Sequence, residues 1–219
     1  MLNILLVDDH AVVRQGIKHI LAEAYDQANF GETGSAADLR QFIEAENWDV
    51  VVLDLALPDG NGLETLKQLR LMRPKLPVLI LSMFPEDQYA LRAIKAGAAG
   101  YLNKESAPEE LVRAIQKILQ GGEYISDSLA EELVHYARGD EISPLHKALS
   151  DREYQVLCLI ASGKEIREIA TELSLSPKTV STYRARLLEK MSMMTNAELT
   201  NYAFRNGLIF QSPDDIKSP

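Results

Sequence analysis

Three aspartates stand directly after two short apolar runs of the sequence, where they could bind a cation together. Asp8 and Asp9 follow "NILLV", and Asp54 closes "VVVLD". A single aspartate at such a point is most often the N-cap of the next helix. Three carboxylates without His or Cys ligands instead favour a hard divalent cation, above all Mg²⁺. We therefore predict a Mg²⁺ site, and we assign His10 to the start of the first helix rather than to the chemistry.

Two further polar residues stand at the ends of apolar runs. Ser82 closes "VLILS" and Lys104 follows "GYLN". Taken singly, each is most simply an ordinary surface residue. Beside Mg²⁺, which recruits phosphate oxygens, an ammonium group and a hydroxyl could bind the other oxygens of a phosphoryl group. An aspartate held in such a site can be the nucleophile and form an acyl phosphate. The combination predicts phosphoryl chemistry.

The apolar runs that carry these residues alternate with helical patterns over the first 120 residues. Five runs have the length of strands: "NILLV", the weaker "NFGETGS", "VVVLDL", "VLILS" and "GYLN". Each is followed by apolar residues at helical spacing. Parallel strands need helical crossovers, so this order predicts an α/β fold with a five-stranded parallel sheet covered on both faces. With a flavodoxin-like strand order, the strand ends would converge on one crevice, where such sheets bind ligands.

The rest of the chain has a different pattern. Residues 121–147 carry 2 basic and 6 acidic side chains, and we predict a linker with a helix around Leu129–Tyr136. Residues 148–210 have only helical apolar patterns, which predicts a second, all-α domain. The last residues have the composition of a disordered tail. We therefore predict four segments, 1–120, 121–147, 148–210 and 211–219.

The net charge of the whole chain conceals a difference between the two domains. It is −9 in total, but residues 1–120 account for −5 and residues 148–210 for +1. The second domain thus lacks the acidic excess that would argue against nucleic acid. No apolar run reaches the roughly 20 residues that span a bilayer, so we expect no membrane segment. The single cysteine, Cys158, cannot form an internal disulfide, and we place the protein in the cytoplasm.

Four features of the first 120 residues resemble the receiver domain of bacterial two-component response regulators. They are "VDDH", "VVVLDLALPDGNG", Ser82 and "AGAAGYLNK". The resemblance implies a CheY-like, flavodoxin-like fold in which Asp54 is the phosphoacceptor. It also implies that Ser82 and Lys104 contact the phosphoryl group, and that Tyr101 is the aromatic residue whose rotamer reports the state of the site.

The same resemblance implies a metal ion and a phosphoryl donor. Asp9, Asp54 and the backbone carbonyl of Ala56 would bind Mg²⁺ directly, and Asp8 would act through water. The donor would be a sensor histidine kinase or a phosphotransfer protein. These roles are carried over from the family onto matching positions of this sequence.

The second domain has the pattern of a helix-turn-helix. After the short turn "LSLSPKT", Ser176 and Pro177 begin the last of three helices with a cap and a proline. At about 100° per residue, this helix has a buried face of Val180, Leu187 and Met191. The opposite face combines short and long, mostly polar side chains: it comprises Lys178, Ser181, Thr182, Ala185, Arg186 and Glu189.

This polar face has two interpretations. Short polar side chains near the start of a helix can approach base edges, while longer basic ones reach phosphates. The face could instead be the solvated side of a small helical bundle, and Glu189 on the same face favours that alternative.

Residues 148–210 resemble the four-helix DNA-binding domain of the NarL/FixJ (LuxR-type) response regulators, and "SPKTVSTYRARLLEKM" resembles the GacA/UvrY branch. The resemblance implies major-groove contacts at Ser181, Thr182 and Ala185. It implies contacts to the DNA backbone at Lys178, Thr179, Arg184 and Arg186. The fourth helix, "NAELTNYAFRNGL", would form the dimer face through Leu199, Tyr202 and Ala203, although its apolar positions could equally be bundle core.

We therefore expect a homodimeric DNA-binding transcriptional regulator that is switched by Mg²⁺-dependent phosphorylation. One alternative is a regulator that binds DNA without regard to phosphorylation and uses the receiver only for docking or dimerisation. A second is a Mg²⁺-dependent phosphohydrolase, an enzyme. Haloacid-dehalogenase-type enzymes need Asp-x-Asp after one strand, and "LDLAL" lacks the second aspartate.

Overall fold

The computed structural model describes residues 1–59, 61–138 and 144–209 and divides into two compact units, Met1–Glu141 and Ile142–Pro219. Residues 139–143 of the predicted linker and the predicted tail, 211–219, lie outside the described residues. Within the described ranges, no helix combines the length and the apolar character that crossing a membrane requires.

The first unit is built on a parallel sheet. Its five strands, in the spatial order β2-β1-β3-β4-β5, are β1 (Leu2–Val7), β2 (Ala28–Thr33), β3 (Val50–Leu53), β4 (Val78–Ser82) and β5 (Gly100–Asn103). All four pairings between neighbours are parallel. The predicted flavodoxin-like sheet is confirmed, including the weak second strand.

Helices cover both faces of this sheet. They are α1 (Ala11–Ala24), α2 (Ala36–Ala45), α3 (Gly62–Met72), α4 (Glu86–Lys95) and α5 (Pro108–Leu119). On one face, Ile17 of α1 and Ile115 of α5 pack in one buried cluster with Ile4 and Val50 of the sheet. Successive residues of a strand point to opposite faces, so the strand residues next to Ile4 and Val50 point to the other face. There α2, α3 and α4 are neighbours. Burial on both faces explains why these strands are continuous apolar runs.

The loop after β3 is held tightly against the strand it leaves. Asn61 caps α3 by accepting a hydrogen bond from the Leu63 amide at 2.9 Å. A Cβ atom on Gly62 would lie 2.3 Å from the Cα atom of Leu55 and 2.8 Å from the carbonyl oxygen of Asp54. Only glycine fits this approach, which fixes the backbone around Asp54.

The chain beyond α5 continues to pack on the first unit. The Tyr124 amide donates to the Ala99 carbonyl at 2.9 Å, and the Tyr124 carbonyl accepts from the Tyr101 amide at 3.2 Å, so Tyr124 pairs with the outer edge of β5. A sixth helix, α6 (Asp127–Arg138), then contacts α4 and buries Leu129. This part of the predicted linker is therefore structured on the sheet edge.

The second unit is helical throughout its described residues. After a short 3-10 turn (Leu145–Ala148) come α7 (Asp151–Ala161), α8 (Ile166–Glu172), α9 (Pro177–Lys190) and α10 (Asn196–Arg205). Ser150 and Glu153 form a reciprocal capping box at the start of α7, and Ser176 caps α9 ahead of Pro177. The predicted four-helix domain and the start of its third helix are confirmed.

Candidate functional site

Four strands of the first unit end at one edge of the sheet with polar side chains. Asp8 follows β1, Asp54 follows β3, Ser82 closes β4 and Lys104 follows β5. The side chains of Asp8, Asp54 and Ser82 are almost completely buried. Because all strands run in parallel, residues separated by up to 96 positions meet in one crevice.

Lys104 joins the two buried carboxylates of this crevice. Its Nζ atom lies 2.6 Å from Oδ2 of Asp8 and 2.6 Å from Oδ2 of Asp54. Burial by itself would lower the pKa of Lys104. Hydrogen bonds and charge attraction from Asp54 and Asp8 outweigh that effect, so the pKa lies above its ordinary value. Lys104 is therefore a cation placed between two anions.

Backbone amides hold the remaining oxygens of these carboxylates. The Ala56 amide donates to Oδ1 of Asp54 at 3.1 Å, and the His10 amide donates to Oδ1 of Asp8 at 2.8 Å. Both amides belong to the residue two positions further along the chain. The two carboxylates are thus fixed in direction by the turns that follow their strands.

The donor set of the crevice fits a divalent cation. Asp8, Asp9, His10 and Asp54 each offer one ligand atom, and these atoms all lie within 4.8 Å of one another. Carboxylate oxygens suit Mg²⁺, and the ammonium of Lys104 already occupies a cationic position between two of them. The predicted metal residues Asp8, Asp9 and Asp54 therefore come together, and Ala56 borders them.

The side chain of His10 lies within this cluster, although the sequence pattern assigned His10 to the start of the first helix rather than to the chemistry. It is the N-cap of α1, as expected, but its side chain makes no capping hydrogen bond. Instead, Nδ1 lies 2.7 Å from Oδ1 of Asp9. In the sequence, the only sign of this contact is that His10 directly follows the two aspartates in "VDDH". That order does not by itself tell whether the imidazole turns toward the aspartates.

A second group of contacts extends from Ser82 toward α4. The Phe84 amide approaches Oγ of Ser82 at 3.4 Å, and the hydroxyl of Tyr101 donates to the Phe84 carbonyl at 2.7 Å. The ring of Phe84 stacks on Tyr89 of α4, with centroids 4.6 Å apart. Tyr101 is buried, and burial followed by the nearby charge of Asp54 raises the pKa of its phenol. Ser82 and Tyr101 are linked through the backbone of Phe84.

In the second unit, α9 has the two faces that its sequence pattern predicts. Val180, Leu187 and Met191 are buried. The residues on the opposite face are exposed: Lys178, Ser181, Thr182, Ala185, Arg186 and Glu189. A helix with a solvent-facing row of short polar side chains and flanking cations is available to a groove of DNA.

Two family models match the chain. The model for the response regulator receiver domain matches residues 4–116, and the model for bacterial regulatory proteins of the luxR family matches residues 147–203. The chain is a response regulator with a LuxR-type DNA-binding domain. It belongs to the family of DNA-binding transcriptional regulators whose receiver domain is phosphorylated by a kinase.

Similar response regulators can be aligned with this chain over nearly its whole length. The response regulator UvrY of Escherichia coli O6:H1 is 35% identical over 209 residues, 95% of this chain and 96% of UvrY. The response regulator GacA of Pseudomonas aeruginosa is 36% identical over 211 residues, 95% of this chain and 98% of GacA. The predicted family and branch are confirmed.

Solved structures of RcsB from Salmonella share this fold. One, described as bound to the promoter rprA in the presence of the phosphomimetic BeF3-, has a TM-score of 0.63 and 26% identity over 92% of this chain and 98% of that one. Another RcsB structure has a TM-score of 0.66 and 27% identity over 93% and 97% of the two chains.

Several predicted DNA-contacting residues of the response regulator also make contacts inside its DNA-binding domain. The Ser181 hydroxyl donates to the Pro177 carbonyl at 2.9 Å, and the Thr182 hydroxyl donates to the Lys178 carbonyl at 3.0 Å. The hydroxyls of Thr179 and Ser176 lie 2.8 Å apart in the helix cap.

Arg184 connects two helices of the same domain by a hydrogen bond. Its Nε donates to Oδ1 of Asn196, at the start of α10, at 2.6 Å. The sequence signal for this contact is weak, because the two residues lie on different helices. The guanidinium retains further N–H groups that can meet a phosphate.

The predicted dimer residues of α10 need a correction. Leu199 and Ala203 have no exposed surface, because α10 packs them against α7. The hydroxyl of Tyr202 lies 3.0 Å from Nδ1 of His146 in the 3-10 turn. Leu199 and Ala203 are core residues, the alternative that the sequence left open, whereas Phe204 is 55% exposed.

Proposed function

We propose that Asp54 is the phosphoacceptor of this response regulator and that a sensor histidine kinase, or a phosphotransfer protein, supplies the phosphoryl group. The observation that carries the proposal is the position of Asp54 at the end of β3, held by Lys104 and the Ala56 amide. In the reaction, a carboxylate oxygen of Asp54 bonds to phosphorus while the bond from phosphorus to the donor's imidazole nitrogen breaks.

The other residues of the crevice bind and orient. Asp9, Asp54 and the Ala56 carbonyl would hold Mg²⁺, and Asp8 would act through water. The charge that the phosphoryl group brings to the aspartates would be offset by such a cation when it is bound. Lys104 releases Asp8 and contacts a phosphoryl oxygen, since its Nζ already lies 2.6 Å from Asp54.

Ser82 and Tyr101 transmit the change. When the Ser82 hydroxyl turns toward the phosphoryl group, the loop at Phe84 moves with it, because the Phe84 amide lies beside that hydroxyl. Tyr101 holds the same loop through the Phe84 carbonyl, so its side chain must follow. The phosphoryl group thereby biases one of two packings of this region.

The DNA-binding domain, proposed as residues 148–210, reads double-stranded DNA with α9. Ser181, Thr182 and Ala185 face the major groove, while the DNA backbone is contacted by Lys178, Thr179, Arg184 and Arg186. The exposure of the first three and of Lys178 and Arg186 supports this assignment. Proteins of this architecture bind two half-sites as dimers.

The homodimer on DNA uses the exposed side of α10. Ala197, Asn201 and Phe204 are exposed and lie at positions i, i+4 and i+7, so they share one face. This face replaces Leu199 and Ala203 as the proposed contact between two copies.

The decisive experiment compares DNA binding with and without a phosphodonor. DNA selected from a random pool by beryllofluoride-treated wild-type protein serves as the probe, and the variants are Asp54→Asn and, as a control of equal charge change, the exposed Asp26→Asn. We expect the phosphodonor to raise the affinity of wild type and Asp26→Asn by about 5-fold or more. Asp54→Asn should not respond. An equal response of Asp54→Asn would refute the proposal, and no response in any protein would favour the phosphorylation-independent alternative.

A further inference from the structure

The imidazole of His10 lies beside the carboxylates of the proposed metal site. Its Nδ1 is 2.7 Å from Oδ1 of Asp9 and 3.4 Å from Oδ1 of Asp8. The side chain of Asp9 is 32% exposed and that of His10 is 66% exposed, so both can adjust toward a bound ion. Lys104, in contrast, has an almost buried side chain that contacts Asp8 and Asp54.

The spacing of these groups suits one ion with mixed ligands. Ligand atoms of Asp8, Asp9, His10 and Asp54 lie within 4.8 Å of one another. Metal–oxygen and metal–nitrogen bonds of about 2.1 Å place opposite ligands of one ion about 4.2 Å apart. Small movements of exposed side chains are therefore sufficient to bring a nitrogen and carboxylate oxygens onto the same cation.

We propose that His10 is a metal-selecting residue: it supplies a nitrogen ligand to a transition-metal dication, such as Mn²⁺ or Co²⁺, at the site where Asp9, Asp54 and the Ala56 carbonyl would hold Mg²⁺ without the imidazole. This inference rests on the metal site proposed above. Imidazole binds transition-metal dications well and Mg²⁺ poorly. His10 thus raises the affinity for the transition metals relative to Mg²⁺.

The backbone of His10 makes the side chain replaceable. The His10 amide donates to Asp8, and the imidazole makes no capping hydrogen bond to α1. Substitution of the side chain therefore leaves both the turn and the helix start intact. The competing explanation is that His10 only orients Asp9 by donating a hydrogen bond, as residues that contact metal ligands often do.

The two explanations differ in metal preference. We would titrate the full chain with Mg²⁺ and with Co²⁺ by calorimetry, using wild type, His10→Ala and His10→Gln. Ligation predicts that His10→Ala weakens Co²⁺ binding by about 10-fold or more while Mg²⁺ binding changes by less than about 3-fold. Gln can donate to Asp9 but offers no imidazole nitrogen, so it should not restore Co²⁺ affinity. The visible absorption bands of bound Co²⁺ should shift in both variants.

Two controls separate the possible failures. His19 is an exposed histidine of α1, paired with Glu23, and His19→Ala should leave both affinities unchanged. Equal weakening of Mg²⁺ and Co²⁺ binding by His10→Ala, or no weakening of either, would overturn the inference. Asp9→Asn should weaken both metals. If it left Mg²⁺ affinity unchanged, the metal site itself would be wrong and the role of His10 would fall with it.

Discussion

Lys104 supplies the positive charge next to the two buried carboxylates of the proposed phosphoacceptor crevice. Two buried carboxylates without a cation would each lose hydration and repel the other. The ammonium group between Asp8 and Asp54 offsets both charges. Because folding raises the pKa of Lys104, the charge on its ammonium group stabilises the fold below the ordinary lysine pKa of about 10.4, and this contribution is lost as the pH rises through the raised pKa.

Replacing Lys104 by Met tests this arrangement. Leaving two buried carboxylates without their cation should lower the free energy of unfolding by about 3 kcal/mol in the absence of metal. Mg²⁺ should then raise the melting temperature of Lys104→Met more than that of wild type, since the dication no longer competes with the ammonium group. Thermal unfolding with and without Mg²⁺ measures both effects. The exposed Lys75→Met is the control and should behave as wild type; an equal Mg²⁺ effect in all three proteins would contradict the argument.

At the scale of elements, the outer edge of β5 is closed by the chain that follows α5. An open strand edge presents unpaired amides and carbonyls that invite association. Tyr124 satisfies part of this edge, and α6 packs on α4 beside it. The amide of Tyr101, the proposed switch residue, donates to Tyr124. The segment from Tyr124 to Arg138 is therefore connected to Tyr101 by a backbone hydrogen bond at its first residue.

Gly100 allows this closure, and Gly100→Ala should break it. A Cβ atom at Gly100 would lie 2.7 Å from the Tyr124 carbonyl oxygen, closer than real contacts permit. We expect faster hydrogen exchange at the Tyr124 and Tyr101 amides and a loss of stability of about 1–3 kcal/mol. Gly16→Ala is the matched control, because a Cβ there meets no atom within 4 Å. Unchanged protection of Tyr124 in Gly100→Ala would show that the pairing does not depend on this approach.

At the scale of the whole molecule, the proposed association of two copies on DNA needs surfaces that folding leaves exposed. Phe204 is a large apolar side chain, 55% exposed on α10. A hydrophobic residue of this kind is a natural anchor of a dimer contact. Leu199 and Ala203 stabilise the domain instead, since they lie in its core.

Phe204→Glu should separate dimerisation from folding. With beryllofluoride and DNA that carries two half-sites, we expect the variant to bind without cooperativity, because a charge on the contact face of both copies repels. Its melting temperature should stay close to that of wild type, since the side chain is exposed. Gel-shift stoichiometry and thermal unfolding provide the two readouts. Met194→Glu, at an 84% exposed position outside α10, is the control; cooperative binding by Phe204→Glu would exclude this face.

The spacing of apolar residues along the chain was sufficient to predict the strands and helices of both domains. The runs at Ile4 and Val50 are continuous and apolar because both faces of a parallel sheet are covered, and this signal needs no knowledge of partners. The buried face of α9 followed from helical spacing, and its start followed from Ser176 and Pro177. The role of the apolar residues of α10 was ambiguous, because residues that line a core and residues that line a dimer contact have the same helical spacing.

The sequence by itself determined the order of strands and helices, the polar residues at the strand ends and the family, since these depend on local spacing and on motifs. Only the tertiary structure decided that Lys104 bridges Asp8 and Asp54, that His10 turns toward Asp9, and that Tyr124 closes β5. The physical reason is that these contacts depend on the packing of distant segments and on side-chain rotation. Spacing along the chain specifies neither.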